Sequence, residues 1–231
     1  MAGSPGSNTK KRKPLSRERV LEAAMGLADR DGIEPLTIRK LATELEAKPM
    51  AIYHHVASKE EILDGMVDSV FAEIELPPGE LGWTDAVRVR SISARQALGR
   101  HPWATPMMES RTSPGPATLR QHDAMLGCLR RGGLSLEMAA HAYALIDSFV
   151  YGFALQEANL PGGGGGEIVE MAGDLIDAMP PEEYPNLVEF TTEHVMRPGY
   201  SFSDTFELGL DLLLDGLEAA RLSDSPDRTS D

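Results

Sequence analysis

Between residues 16 and 56 three short segments each carry one apolar face, and only Glu46-Ala47-Lys48 separates the second from the third. Pieces this short cannot bury their faces separately. A steep helix-turn-helix, buttressed by the first helix, lets them share one small core. Val20, Ala24, Leu27 and Ala28 recur at helical spacing, and Gly32 is placed to end that helix at positive φ. Thr37 is an N-cap for Ile38, Leu41, Ala42 and Leu45, which fall at i, i+3, i+4 and i+7. Pro49 opens the third segment where proline suits a first helical turn, and Ile52 and Val56 give it an inward face. A fourth helix is predicted from the capping box Ser58-Lys59-Glu60-Glu61 through Ile62, Leu63, Met66, Val70 and Ile74, stopped by Leu76-Pro77-Pro78-Gly79.

With its inward face occupied, the third segment is left to present Lys48, Met50, Ala51, Tyr53 and either His54 or His55. Small Ala51 permits close approach to a groove. Tyr53 and the histidines can donate to phosphate oxygens, and Lys48, Lys59 and Arg39 supply charge. His54 is open to a second reading, packed against the first helix. The net charge of −14 argues against nucleic acid, but its distribution does not. Residues 1–61 hold 11 Lys/Arg against 9 Asp/Glu, whereas residues 62–231 hold 11 Arg against 27 Asp/Glu. The front of the chain is therefore suited to a polyanion and the remainder to solubility. Lys10-Lys11-Arg12-Lys13 reads either as an arm that follows DNA or as a solvated tail.

The run Gly32-Ile33-Glu34-Pro35-Leu36-Thr37-Ile38-Arg39-Lys40-Leu41-Ala42, followed by Ile52-Tyr53-His54-His55-Val56 and Lys59, resembles the DNA-binding domain of the tetracycline repressor (TetR) family. That resemblance implies DNA contacts at Arg39, at Lys48, Pro49, Met50 and Ala51, and at Tyr53, His55 and Lys59. Two departures stand out. Glu46 occupies the turn where the family commonly has glycine, and Pro49-Met50 replaces the usual residues before the small pair. The fold reading survives both, but the operator sequence is not legible.

Beyond residue 80 the pattern stays helical: Trp83 to Arg100, Trp103 to Glu109, Ala117 to Arg131, a long apolar helix capped by Ser135 and reaching Ala158, and a last helix from Ser203 to Leu222. Segments 167–178 and 186–195 read as shorter helices, and Gly162–Gly166 as a mobile loop. In the last helix, Glu207, Asp211, Asp215 and Glu218 make one acidic stripe on an otherwise apolar cylinder. Such a helix must bury two sides. One can face its own domain and the other a second copy of the chain. The predicted dimer seam comprises Phe149, Phe153, Leu210, Leu213, Leu214 and Leu217, with Gly209 and Gly216 allowing close approach. A four-helix dimer interface is also what the resemblance implies.

Large, deformable and aromatic side chains on the same helices outline a candidate ligand pocket: Trp103, Met107, Met125, Tyr143 and Tyr151, with Arg90, His122 and Asp147 as orienting polar groups. Met108, Phe149 and His141 belong to the wider set, and plain core is the competing reading for each. Asp147 is the one formal charge in Met138–Gln156, so it needs a partner, either Arg90 or a cation on a ligand. It also makes this stretch a poor membrane span. Gly133-Leu134-Ser135-Leu136-Glu137 and Gly152-Phe153-Ala154-Leu155-Gln156-Glu157 resemble the tetracycline-type C-terminal domain. The histidine with which tetracycline repressors hold a drug-bound magnesium ion falls at Glu109, and the nearby arginine and proline at Ser113 and Pro114. Tetracycline and magnesium are therefore not carried over, and no cofactor or metal site is expected.

The fold expected is all-α: residues 1–15 a flexible basic arm, 16–60 a three-helix DNA-binding domain, 61–222 a larger helical domain for ligand binding and dimerisation, and 223–231 a disordered tail. No phosphate loop, zinc spacing or nucleophile elbow argues for an enzyme. Lone Cys128 excludes an intrachain disulfide and, with no secretory apolar run near the start, points to a reducing cytoplasm. The function expected is a dimeric transcription repressor, binding double-stranded operator DNA and released by an unknown small-molecule inducer. A transcriptional activator of the same fold and a helical protein-interaction module are the alternatives.

Overall fold

A computed structural model describes residues 14–108, 110–164, 166–177 and 179–224. The Lys10–Lys13 cluster, Glu109 and residues 225–231 lie outside the described residues. Every regular element among those described is helical. Eleven α-helices occur among the described residues: α1 Arg17–Asp31, α2 Ile38–Glu44, α3 Pro49–Ile52, α4 Lys59–Glu73, α5 Trp83–Arg100, α6 Thr105–Met108, α7 Pro116–Arg131, α8 Leu136–Asn159, α9 Gly166–Asp177, α10 Pro185–Phe190 and α11 Thr205–Asp224. The chain divides into two compact units between Met66 and Val67, and α4 is the helix whose residues span the division.

Local chemistry sets the helices of the first unit. Ser16 Oγ accepts from the Arg19 amide at 3.3 Å and Thr37 Oγ1 from that of Lys40 at 3.2 Å, so α1 and α2 start where hydroxyls satisfy their open N–H groups. Ser58 Oγ accepts from Glu61 N, while the Glu61 carboxylate reaches back to Ala57 N at 2.7 Å, one residue before the partner an ideal capping box would use. Gly32 ends α1 at φ +82° and ψ 173°, a region essentially reserved for glycine, with its N–H on Ala28 O. Val20, Ala24, Ala28, Leu41, Ala42, Ile52 and Val56 are buried together, the shared core that their spacing predicts.

In the second unit α5, α7, α8 and α11 pack around one another. Gly132 lets the Trp83 ring lie against the chain, since a Cβ there would fall 2.5 Å from Trp83 Cγ. The expected glycine loop is more structured than its composition implies. Pro161–Gly164 forms a 3-10 turn, and Gly164, at φ +88°, sits so close to Phe202 that a Cβ would lie 2.8 Å from that residue's Cβ. Segment 185–195 divides into α10 and a π-helical turn, Thr191–Val195. The last helix runs to Asp224, into the stretch expected to be tail.

Most residues of the dimer seam expected from the sequence are taken up within the protomer. Phe153, Leu210, Leu214 and Leu217 are buried within the protomer, and Phe149 and Leu213 are half-buried. Phe149 stacks on Phe206 at 5.3 Å and lies over Gly209, where a Cβ would be 2.7 Å from the ring. Gly209 therefore serves an internal helix approach, while Gly216 borders open space. The acidic stripe is also used internally. Asp211 pairs with Arg88, and Glu218 accepts from Trp83 Nε1 at 2.9 Å and from Arg221. With those two faces committed, α11 turns Leu208, Leu212 and Leu222 outward, each about 60% or more exposed. On α8, Leu145 and Leu155 do the same, with Ser148 between them.

Candidate nucleic-acid interface and ligand site

In the first unit, Leu45 closes α2 and Glu46 turns the chain at φ +49°, the left-handed conformation for which the family's customary glycine is suited. Ala47 N–H then bonds Ala42 O at 2.8 Å, fixing the turn. Pro49 at the first position of α3 has no N–H to leave unsatisfied. The helix proper is a single turn, continued by hydrogen-bonded turns through which His55 and Val56 both bond Ile52 O. Buried Ile52 and Val56 anchor it and leave the opposite surface bare: Lys48, Pro49, Met50, Tyr53 and His54 are exposed and Ala51 half-buried. His54, read two ways from the sequence, faces solvent, whereas His55 is the half-buried member of the pair. Arg39 on α2 and Lys59 at the start of α4 are exposed as well. Arg17 braces α1 against α4 by an ion pair with Glu61 at 3.3 Å.

In the second unit the polar residues of the candidate pocket divide. Arg90 on α5 has no solvent exposure, and its Nη1 donates to Asp147 Oδ1 on α8 at 2.5 Å. Burial opposes the guanidinium charge most strongly, but the Asp147 carboxylate with Tyr151 and Tyr143 together outweigh it and leave the Arg90 pKa above its ordinary value. Tyr151 OH donates to Asp147 Oδ2 at 3.1 Å, so both carboxylate oxygens are engaged. Burial first, and the adjacent Asp147 charge second, push the phenol pKa values of Tyr143 and Tyr151 upward, so both stay neutral donors. His122 Nδ1 donates to Thr118 O at 2.7 Å, which places a proton on that nitrogen. That ring meets Tyr143 edge-on at 5.5 Å and Phe71 of α4 at 5.8 Å. Arg90, Asp147, Tyr151, Tyr143 and His122 thus form one cluster among α5, α7 and α8.

Within it, Arg90 Nε and Nη2 are buried with no hydrogen-bond partner, and the Tyr143 hydroxyl, buried beside the Asp147 carboxylate, makes no well-formed hydrogen bond. A buried donor left unmade costs about 1–3 kcal/mol, more when charged, so packing alone does not account for this cluster. Met125 is fully buried on α7, and Trp103 and Met107 are buried on the segment that packs on α8. Trp103 meets the His101 ring edge-on at 5.9 Å. His141 is solvent-exposed beside Glu137 and does not belong to the pocket. Ser113 and Pro114 are exposed too.

A cavity of about 460 Å³ opens elsewhere, between α5, α8 and the start of α11, lined by Ile92, Arg95, Gln96, Gly99, Glu157 and Phe206 among others. None of the pocket residues expected from the sequence lines it. Arg95 grips Glu157 with two bonds, at 2.9 and 2.5 Å, and lies over the Phe153 and Phe206 rings. The sequence carried a signal for this site, since Arg95 repeats at helical spacing from Arg88, but nothing in it distinguished Arg95 from a solvated arginine.

Against known proteins, residues 20–66 match the family described as bacterial regulatory proteins, tetR family, and residues 76–221 match the tetracyclin repressor-like C-terminal domain. The HTH-type transcriptional repressor DrrR1 of Streptomyces coeruleorubidus is 32% identical over 219 residues, spanning 88% of this chain and 77% of its own. An HTH-type transcriptional regulator of Saccharopolyspora erythraea is 31% identical over 156 residues, 67% of this chain and 66% of that protein. The crystal structure of the Streptomyces coelicolor protein ActR in complex with actinorhodin superposes with a TM-score of 0.75 at 30% identity, covering 90% of this chain and 99% of ActR.

Proposed function

This chain belongs to the TetR family of transcriptional regulators, and on that premise we propose that it is a cytoplasmic, homodimeric repressor that leaves its operator when a small molecule binds the second unit. The observation that carries the reading is the bare outer surface of α3. Its inward side is locked by Ile52 and Val56, and Lys48, Pro49, Met50, Ala51, Tyr53 and His54 face away from the core, flanked by exposed Arg39 and Lys59. Side chains at base edges supply specificity, while the cations and Tyr53 supply phosphate contacts that set register. His55, half-buried like Ala51, completes the proposed contact set.

Two such surfaces must lie about 34–36 Å apart to enter successive major grooves, so a dimer is required. We assign its seam to the outward leucines Leu208, Leu212 and Leu222 of α11 with Leu145 and Leu155 of α8, because four of the six expected from the sequence, Phe153, Leu210, Leu214 and Leu217, are already buried in the protomer. The inducer is assigned to the Arg90, Tyr143, Asp147, Tyr151 and His122 cluster, with Met125, Trp103 and Met107 as apolar wall. His122 touches both Tyr143 and Phe71 of α4, so an occupant that displaces Tyr143 has a packed route to α4. Relatives named as repressors, and a related structure holding a small molecule, favour this reading.

The test is binding of purified protein to duplex from its own promoter region across 50–200 mM salt. Steep loss of affinity is expected for a protein neutralising several phosphates. Flat salt dependence, or indifference to that duplex, would overturn the proposal.

A further inference from the structure

We infer that the compound this protein senses is an organic acid, held by a carboxylate against the unoccupied edge of Arg90. The inference rests on the ligand-responsive reading above and names the chemistry of the same site. Of the guanidinium nitrogens, Nη1 is committed to Asp147 at 2.5 Å, whereas Nε and Nη2 are buried and unpartnered. These two lie on one side of the planar group and point their N–H bonds in parallel. That is the fork which matches the two oxygens of a carboxylate and which a single hydroxyl or ketone would half fill.

Asp147 cannot rotate to serve this edge without releasing Tyr151, because its second oxygen already accepts from that hydroxyl at 3.1 Å. Tyr143 OH is a third buried donor that makes no well-formed hydrogen bond, held neutral by burial and by the Asp147 carboxylate beside it. An incoming anion therefore meets a fixed cation and neutral phenols, and Asp147 is already engaged by Arg90 Nη1 and Tyr151 OH. Tyr143 and His122 meet edge-on in the same cluster and Met125 is buried on α7, so an aromatic acid is the apt probe, and methionine can repack around a guest.

The experiment uses the full-length protein with 2-naphthoate as probe and 2-naphthamide, its neutral isostere, as control, followed by calorimetry. Operator binding of the same preparation is measured in parallel. Naphthoate is expected to bind about tenfold or more tightly than naphthamide, as loss of a charge-assisted bidentate pair implies. Tyr143→Phe is expected to weaken naphthoate several-fold and naphthamide by less, since the bond to a charged acceptor is the stronger, and Arg90→Gln to abolish the preference. Arg90→Gln risks misfolding, so Tyr143→Phe, which removes one oxygen, keeps the test decisive. Equal binding of the two probes, binding indifferent to both substitutions, or no naphthoate binding at all overturns the assignment of an acid. If operator binding persists in any of those cases, the regulator reading stands without it; if operator binding is absent as well, that reading fails separately.

Discussion

Arg90 and Asp147 form an ion pair, Nη1 to Oδ1 at 2.5 Å, in which the guanidinium is wholly buried and the carboxylate side chain retains 16% exposure. The pair joins α5 to α8 at the centre of the second unit. Removing one partner strands the other in a low-dielectric interior, which typically costs about 3–5 kcal/mol, whereas replacing both with apolar groups is close to neutral. Asp147→Ala is therefore expected to lower the urea-unfolding free energy by about 3–5 kcal/mol, and Arg90→Met combined with Asp147→Leu to recover most of it. If the double variant is as unstable as the single one, the pair is not what holds these helices together.

Tyr53→Ala and Lys59→Ala should each weaken operator binding while self-association is unchanged, because neither side chain is in the second unit. Loss of the Lys59 charge should lower the salt slope of log K by about 1, the signature of one phosphate contact. Titrations of fluorescent operator at several salt concentrations, beside sedimentation of the same samples, separate the two effects. Wild-type affinity in both variants would move the DNA-reading surface elsewhere.

Leucines of α11 should divide by face. Leu212→Glu, and Leu208→Glu with it, is expected to yield monomers in analytical ultracentrifugation with little loss of helicity, since both residues are more than half exposed in the protomer. Leu214→Ala, at a buried site, should instead cost about 2–5 kcal/mol of protomer stability through the cavity it leaves. A dimer unaffected by the double glutamate substitution would exclude this seam.

Glu46 holds φ +49° in the turn between α2 and α3. An L side chain there costs about 1–2 kcal/mol, and glycine removes that cost while adding about 0.5–1 kcal/mol of unfolded-chain freedom. Glu46→Gly is expected to stabilise the protein by about 0.5–1 kcal/mol, read as a higher midpoint in thermal unfolding. A lower midpoint would mean that contacts of the glutamate outweigh its backbone.

Glu157 has its pKa held below the ordinary carboxylate value, first by the hydrogen bonds from Arg95, partly opposed by burial and helped by Ser203. A carboxylate whose folded pKa is depressed contributes its full share above the unfolded value, about 4.3, and loses it as pH falls through the folded value. Stability of the wild type should therefore decline as the solution is acidified below about pH 4.3, and Arg95→Met should flatten that part of the curve. Identical acid limbs in denaturant titrations at several pH values would show that the Arg95 bonds are not the cause.

Helix positions were legible because they depend on neighbours in the chain: the hydroxyls of Ser16 and Thr37, the prolines at helix starts, and apolar spacing reach at most a few residues. The outward surface of α3, which we propose reads DNA, was legible for the same reason, since α2, the turn and α3 are contiguous, and burying Ile52 and Val56 dictates what faces out. Asp147 announced by its isolation that it needed a counter-charge, and Arg90 was one of two partners weighed for it. Sequence could not reveal that the Nε and Nη2 edge of Arg90 goes unused, which depends on where Asp147 and Tyr151 settle. Nor could it sort the leucines of α11. The periodicity of that helix marks several apolar faces without saying which meets α8, and only the seating of Phe149 over Gly209 and of Asp211 against Arg88 decided which leucines remained outside. What is local in the chain determined the elements and the reading head; what depends on packing between distant helices determined the pocket's free donors and the face left for a partner.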